Sequence, residues 1–219
     1  MNGAGAFRAF TYDPEPFSDP AVAADAEMVR LRMLNTRFTA ARFLPPILPI
    51  DLENGVADRL AACLDDVATD MVALWLAMPF GTRVADRYAE HLLARFARAT
   101  TVETRWGLGE AFERAASARR SDLTDDVVAL LTNRDYGRGR EMLALALPKL
   151  GAKNGRIAAL KLIGSDPEID GFLLTGLGKF GAGVDAALLE RFAEDDRTWL
   201  RRRAAALLRA QRGAGPGAP

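Results

Sequence analysis

Side chains that carry chemistry are scarce in this sequence. Its 219 residues hold one cysteine, Cys63, and one histidine, His91. A lone cysteine excludes an intramolecular disulfide and a zinc site. A lone histidine excludes a histidine-cluster metal centre and any relay that needs two imidazoles. Cys63 lies in Leu60-Ala61-Ala62-Cys63-Leu64, where a small buried residue is expected rather than a nucleophile. Lysine occurs only at positions 149, 153, 161 and 179, and arginine supplies the other 25 cations. Strand signals are missing: apolar and polar residues do not alternate, and Ala and Leu outnumber β-branched residues. Long apolar runs are missing too. The longest, residues 71–80, is about half of the roughly 20 residues a membrane-crossing helix needs. The first ten residues have neither a basic start nor an apolar core, so no signal peptide is expected. The expectation is a cytoplasmic protein with no membrane association and no cofactor.

Charge is balanced, with 29 basic and 29 acidic side chains. Residues 1–100 carry 10 basic and 13 acidic groups, and residues 101–219 carry 19 and 16. A dedicated nucleic-acid binder usually shows a basic excess, because phosphate neutralisation dominates its affinity. The total shows none, which leaves only a local arginine-lined face for such a role.

What is present is helical punctuation. Residues 1–20, with Gly3, Gly5, Pro14, Pro16 and Pro20, read as a flexible or extended arm, and Phe7, Phe10, Tyr12 and Phe17 are its candidate anchors. Asp19-Pro20 predicts an N-cap followed by a proline in the first helical position. The prolines at 45, 46 and 49 predict an apolar connector. Residues 52–79 predict one long helix or two shorter ones. Met71, Val72, Leu74, Trp75 and Met78 predict a core-facing stripe there. Residues 21–88 are thus a divergent helical segment capping the array that begins at residue 89, and residues 212–219 a disordered tail.

Residues 89–211 contain a pattern repeated four times. An apolar helical run ends in a polar turn, and a second helix succeeds it. Counted from Arg105, Arg140, Asp170 and Arg201, small or apolar residues recur at offsets three, six and seven: Leu108, Ala111 and Phe112; Leu143, Ala146 and Leu147; Leu173, Gly176 and Leu177; Ala204, Leu207 and Leu208. Those offsets share one helix face. A period of 30 to 35 residues points to a helical solenoid. Gly107, Gly109, Gly176 and Gly178 are expected at close helix approaches. Pro148 is expected to end its helix early and open a local groove.

The stretch DDRTWLRRRAAALL at residues 195–208 resembles the HEAT-repeat family, with its turn Asp, the arginine opening the second helix and an Ala- and Leu-rich face. Asp166-Pro167-Glu168-Ile169 and Leu177-Gly178-Lys179-Phe180-Gly181 match the same outline. Residues 133–143 resemble bacterial HEAT-like proteins of unassigned function. The resemblance implies an all-α superhelix of antiparallel helix pairs, and a ladder in which turn Asp and second-helix Arg tie neighbouring units. Asp135 with Arg140, and Asp195 with Arg201, supply that pair here. Asp170 replaces the arginine in the third unit, and Thr100 or Thr101 replaces the aspartate in the first.

Asp135, Asp166 and Asp195 are read as turn and N-cap residues rather than catalytic carboxylates. Gly137-Arg138-Gly139-Arg140 has no strand before it, so it is read as a flexible turn and not a nucleotide loop. Trp106, the Tyr136, Arg138 and Arg140 turn, and Trp199 with Arg201 and Arg202 are the candidate binding residues. Arg201 and Arg202 form with Arg197, Arg203 and Arg209 a basic cluster around Trp199: paired with Glu190, Glu194, Asp195 and Asp196 it is a solvated face; otherwise it is a phosphate-binding or acidic-partner patch. The expected function is a non-catalytic module binding a protein or peptide on a concave face, with a homodimer possible. The alternative is a HEAT-like DNA-binding enzyme resembling the alkylpurine DNA glycosylases, using Trp106, Trp199, Asp135 and arginines. A lyase or chaperone for a bilin-type cofactor is a third class, with no residue specific to it.

Overall fold

The computed structural model describes residues 18–38, 44–179 and 183–213, and every regular element among them is helical. Asp19 starts the first helix as its chemistry requires: its carboxylate accepts the Ala21 N–H at 2.8 Å, and Pro20 takes the first helical position. The helices are α1 (Pro20–Arg32), α2 (Pro49–Glu53), α3 (Val56–Asp66), α4 (Asp70–Ala77), α5 (Ala89–Arg98), α6 (Val102–Ala115), α7 (Thr124–Thr132), α8 (Glu141–Ala146), α9 (Gly155–Leu162), α10 (Asp170–Lys179), α11 (Ala186–Ala193) and α12 (Thr198–Gly213). Short 3-10 segments extend or join several of them. The arm anchors Phe7, Phe10, Tyr12 and Phe17 lie outside the described residues, as do Phe43, Phe180 and most of the 212–219 tail. Arg212 and Gly213 of that tail belong to α12.

The described chain forms two compact units divided between Ala115 and Ala116. The helix pair α5/α6, the first of the four repeats, therefore lies in the N-terminal unit. Within that unit α3 packs on α5 and α4 on α6. Within the C-terminal unit α7 packs on α9, α8 on α10, and α10 on α12. First helices thus meet first helices, and second helices meet second helices.

The expected stripe on α4 divides into two faces. Val72 and Trp75 are buried, together with Ala73, Leu76 and Ala77. Met71 and Met78, expected in the core, are 45% and 44% exposed, and Leu74 is half-buried. The reason is that α4 is covered on two sides, by α3 and by α6. The small residues Ala73 and Ala77 are buried between these neighbours with Leu76, Leu74 packs its tip over Gly107 of α6, and Met71 and Met78 point away. Pro79 ends α4 and Pro148 ends α8, each passing into a 3-10 turn. No groove opens at Pro148. A Cβ on Gly176 would lie 2.9 Å from the Leu145 carbonyl and 3.0 Å from Pro148 Cγ, so α10 presses directly against it.

One unit more than the four read from the sequence keeps the repeat register. Asp70, at the start of α4, lies 35 residues before Arg105. Its offsets three, six and seven are Ala73, Leu76 and Ala77, all buried. The corresponding residues after Arg105, Arg140 and Asp170 are buried as well, and after Arg201 only Leu207 is partly exposed. The pair α3/α4 therefore obeys the same rule as the pairs after it. Leu76, Leu147 and Leu177 are each fully buried, and an aspartate at any of them would be an uncompensated buried charge. Leu76→Asp, Leu147→Asp and Leu177→Asp are each expected to destabilise the protein by at least about 3 kcal/mol. Thermal denaturation checks this, and an unchanged melting temperature for Leu76→Asp would refute the additional unit.

Candidate binding surface along the turns

Arg140 is the most completely enclosed cation of the C-terminal unit. Its side chain has no exposed surface, and it makes four hydrogen bonds with its five N–H donors. Nε donates to the Gly137 carbonyl at 2.9 Å. Nη1 donates to the Leu131 carbonyl at 2.7 Å and to Asp166 Oδ2 at 2.8 Å. Nη2 donates to Glu168 Oε2 at 2.7 Å. Gly137 makes this possible by adopting φ 51°, a conformation that L side chains rarely take, which folds the turn back over the guanidinium. Two expectations change. Arg140, read as a candidate binding residue, is enclosed, with its donors turned to partners inside the fold. Its carboxylate partners are Asp166 and Glu168 of the next helix pair, not Asp135, which is exposed.

The equivalent position in each pair reaches back in the same way. Arg105 donates to the Ala99 carbonyl, and Arg201 donates to the Asp195 carbonyl at 2.8 Å. Asp170 reverses the polarity: its buried carboxylate accepts the Gly164 N–H at 2.7 Å. Burial pushes its pKa up, against the bonds it accepts. Asp70 is also an acceptor. It takes the Thr100 and Thr101 N–H groups at 2.8 and 2.7 Å and Arg95 Nη2 at 3.1 Å. This explains the threonines where the repeat expects aspartate: the acid that caps their turn comes from the preceding helix pair. Burial presses the Asp70 pKa upward, and those donors more than reverse it, leaving it below the ordinary value.

Three Asx turns start the second helices of the C-terminal unit. Asn133 Oδ1 accepts the Asp135 N–H, Asp166 Oδ1 the Glu168 N–H, and Asp195 Oδ1 the Arg197 N–H, at 3.2, 3.1 and 2.9 Å. The side chain that caps the first of these turns is therefore Asn133 and not Asp135. Successive turns are linked by arginines. Arg134 donates to the Ser165 carbonyl at 3.1 Å, and Arg197 donates to the Pro167 carbonyl. Arg197 also forms a two-pronged ion pair with Asp195, at 2.8 and 2.9 Å. That pair holds the Asp195 carboxyl at about 2. At Asp166, burial pushes upward, but the Arg140 guanidinium and the Glu168 N–H keep it below the usual carboxylate range.

The segment 165–172 brings the two sequence-selected clusters side by side. On one flank lie Tyr136, half-buried, and Arg138, whose exposed side chain pairs with Glu141 at 2.7 Å. On the other lies Trp199, on the first turn of α12. Its ring meets Phe172 edge-on at 5.8 Å between centroids. Gly171 lies beneath it, where a Cβ would stand 1.8 Å from Trp199 Cη2. The indole still exposes 48% of its surface. Arg201 is tied to the turn through the Asp195 and Asp196 carbonyls, and Arg203 donates to the Thr175 carbonyl of α10 at 3.3 Å. Arg202 is exposed and has no hydrogen-bond or ion-pair partner among the described residues. Sequence reasoning missed Asn133 and Arg134 here. Their signal is the spacing of 33 and 29 residues along Asn133, Asp166 and Asp195.

Trp106 belongs to the N-terminal unit, half-buried on α6. Beside it runs a groove of about 250 Å³ lined by Leu74, Met78, Gly81, Gly107, Glu110, Ala111 and Arg114. Gly107 forms its floor, where a Cβ would lie 2.0 Å from Leu74 Cδ1. Arg114 and Glu110 pair at its rim at 2.6 Å. In the same unit the single histidine pairs through Nδ1 with Asp65 Oδ2 at 2.7 Å. Cys63 is buried, and burial raises its thiol pKa, the wrong direction for a nucleophile.

No family model, curated protein or solved structure matches the chain. Among the described residues, no group of three or more His, Cys, Asp or Glu side chains is placed to hold a metal ion. No helix among them is long and apolar enough to cross a membrane.

Removing Arg140 leaves two carboxylates and two carbonyls without their donor. Arg140→Ala is expected to cost about 3–5 kcal/mol, measurable by denaturant unfolding. The Asp195 pair has a defined pH signature. Its folded pKa lies below the unfolded value, so its stabilisation is present above pH ~4 and is lost as pH falls toward 2. Asp195→Asn is expected to lower the melting temperature at pH 7 and to match the wild type near pH 2. A difference that does not shrink over that range would refute the assignment.

Proposed function

We propose that the chain is a non-catalytic helical-repeat module of the HEAT type that binds a protein or peptide. The observation that carries this reading is the held but exposed Trp199. A half-exposed indole fixed against Phe172 and Gly171 has little rotational freedom left to lose on binding. Arg202, exposed on the same helix turn, supplies a cation without an internal partner among the described residues. Tryptophan and arginine are the residues that dominate interface energetics. The stacking of second helix on second helix within each unit, α4 on α6 and α8 on α10 on α12, supports HEAT-like packing in which α8, α10 and α12 form the concave side of the C-terminal unit. The ligand fitting this pair of groups is a peptide segment with an apolar or aromatic side chain next to a carboxylate.

No specific feature favours the DNA-glycosylase alternative. Asp135 stands at the tip of an exposed turn, Arg140 is enclosed, and the chain as a whole is neutral.

Selection of a displayed library of unstructured peptides on the full chain tests the proposal. Expected is an enriched motif pairing an aromatic or apolar residue with an acidic one, whose affinity falls at least tenfold in Trp199→Ala and severalfold in Arg202→Glu, with unchanged melting temperatures. Binding that ignores both substitutions would refute it. So would low-salt duplex-DNA binding that weakens steeply with salt and with Arg202→Glu.

A further inference from the structure

A second surface of the C-terminal unit lies between α7 and α9, on first helices rather than on the second helices that carry Trp199. The two helices leave a groove of about 440 Å³ between them. On the α9 wall, Ile157 and Lys161 stand four residues apart on one helix face, and Lys153, in the turn before the helix, lines the same groove. Ile157 is 48% exposed. The facing wall presents Val128 and Asp125. Two of the chain's four lysines thus bracket an exposed apolar side chain in a single groove. Neither Lys153 nor Lys161 has a hydrogen-bond or ion-pair partner among the described residues. Lysine is suited to this setting. Its ammonium is a strongly hydrated point charge on a flexible stem, which reaches an incoming carboxylate rather than bracing the fold.

We propose that this groove docks an acidic amphipathic helix of a partner protein. Lys153 lies in the turn before the helix and Lys161 near its end, so the two lysines flank Ile157, four residues to either side in the chain. Carboxylates about two helical turns apart on the occupant, seven or eight residues, suit cations so placed, with a Leu, Ile or Met between them seated over Ile157 and Val128. The mode is a helix laid into an apolar groove, with charge setting its register. Asp125, on the opposite wall, gives the occupant a direction: the face turned toward α9 is acidic, and the edge turned toward α7 carries a cation or none. The proposal is independent of Trp199 and stands or falls separately from it.

Selection from a randomised amphipathic-helix library on the full chain tests the idea, with anisotropy titration of the labelled winners. The expected winners carry Asp or Glu seven to eight residues apart around an apolar residue. Their affinity falls at least tenfold in Lys153→Glu/Lys161→Glu and severalfold in Ile157→Ser, and it is unchanged by Trp199→Ala. Winners remade with lysine in place of those acids should bind Lys153→Glu/Lys161→Glu better than they bind the wild type. All substituted positions are exposed, and melting temperatures equal to the wild type confirm that folding is not the cause. The proposal is overturned if no selected helix is sensitive to the lysine reversals, if charge-swapped peptides do not recover binding, or if the lysines prove to serve a phosphate backbone, shown by duplex DNA competing for the groove.

Discussion

The C-terminal unit depends on one enclosed guanidinium. Arg140 touches the end of its own first helix, its own turn and the turn of the next pair at once. An apolar side chain of the same size could fill the volume but would leave the Leu131 carbonyl and the Asp166 carboxylate without donors. The cost of burying charge is met here by near-complete hydrogen bonding, the condition under which a buried ion pair fixes geometry. Everything near the candidate surface depends on that junction. The position of the 165–172 segment sets where Phe172 and Gly171 lie, and these in turn hold Trp199 in place.

Arg134 and Arg197 act on the same edge from outside. Each crosses from one turn to the next and ends on a backbone carbonyl. Exposed arginine–carboxylate pairs are worth little by themselves. Their value here is positional, because they keep successive turns at a fixed separation. The candidate surface is accordingly built on anchored turns, with Arg202 a cation beside it that has no internal partner among the described residues.

Helical class, the position of Asp19 as a cap and the offsets of three, six and seven were legible because they depend on local chemistry and on 3.6-residue periodicity. The placement of Arg140 was not, since the sequence offered Asp135 as its nearest turn acid, whereas its partners Asp166 and Glu168 lie 26 and 28 residues further on. Asp70 was missed for a related reason. The repeat was read through its arginines, whereas an aspartate at the same position does the equivalent task with opposite polarity. Its small residues at 73 and 77 carried the signal. The α4 stripe was right at Val72 and Trp75 and misled at Met71 and Met78, because a helix covered on two sides also buries its small residues, which a count of large apolar ones overlooks. Trp199 was legible as a candidate because it lies one step from a turn, where a side chain can be packed and exposed together.

The reversal of polarity at position 170 gives the helix pairs an order. A donor at 140 faces carboxylates in the turn after it, while an acceptor at 170 takes an N–H from its own. Neighbouring pairs are thus not interchangeable parts, although they share a packing rule. A slip of one pair along the chain would set Arg140 against the Asp195 turn, where Arg197 already holds the carboxylate and itself stands at the position equivalent to Glu168. Misregistered or swapped assemblies of this unit are discriminated against by the same residues that stabilise the correct one.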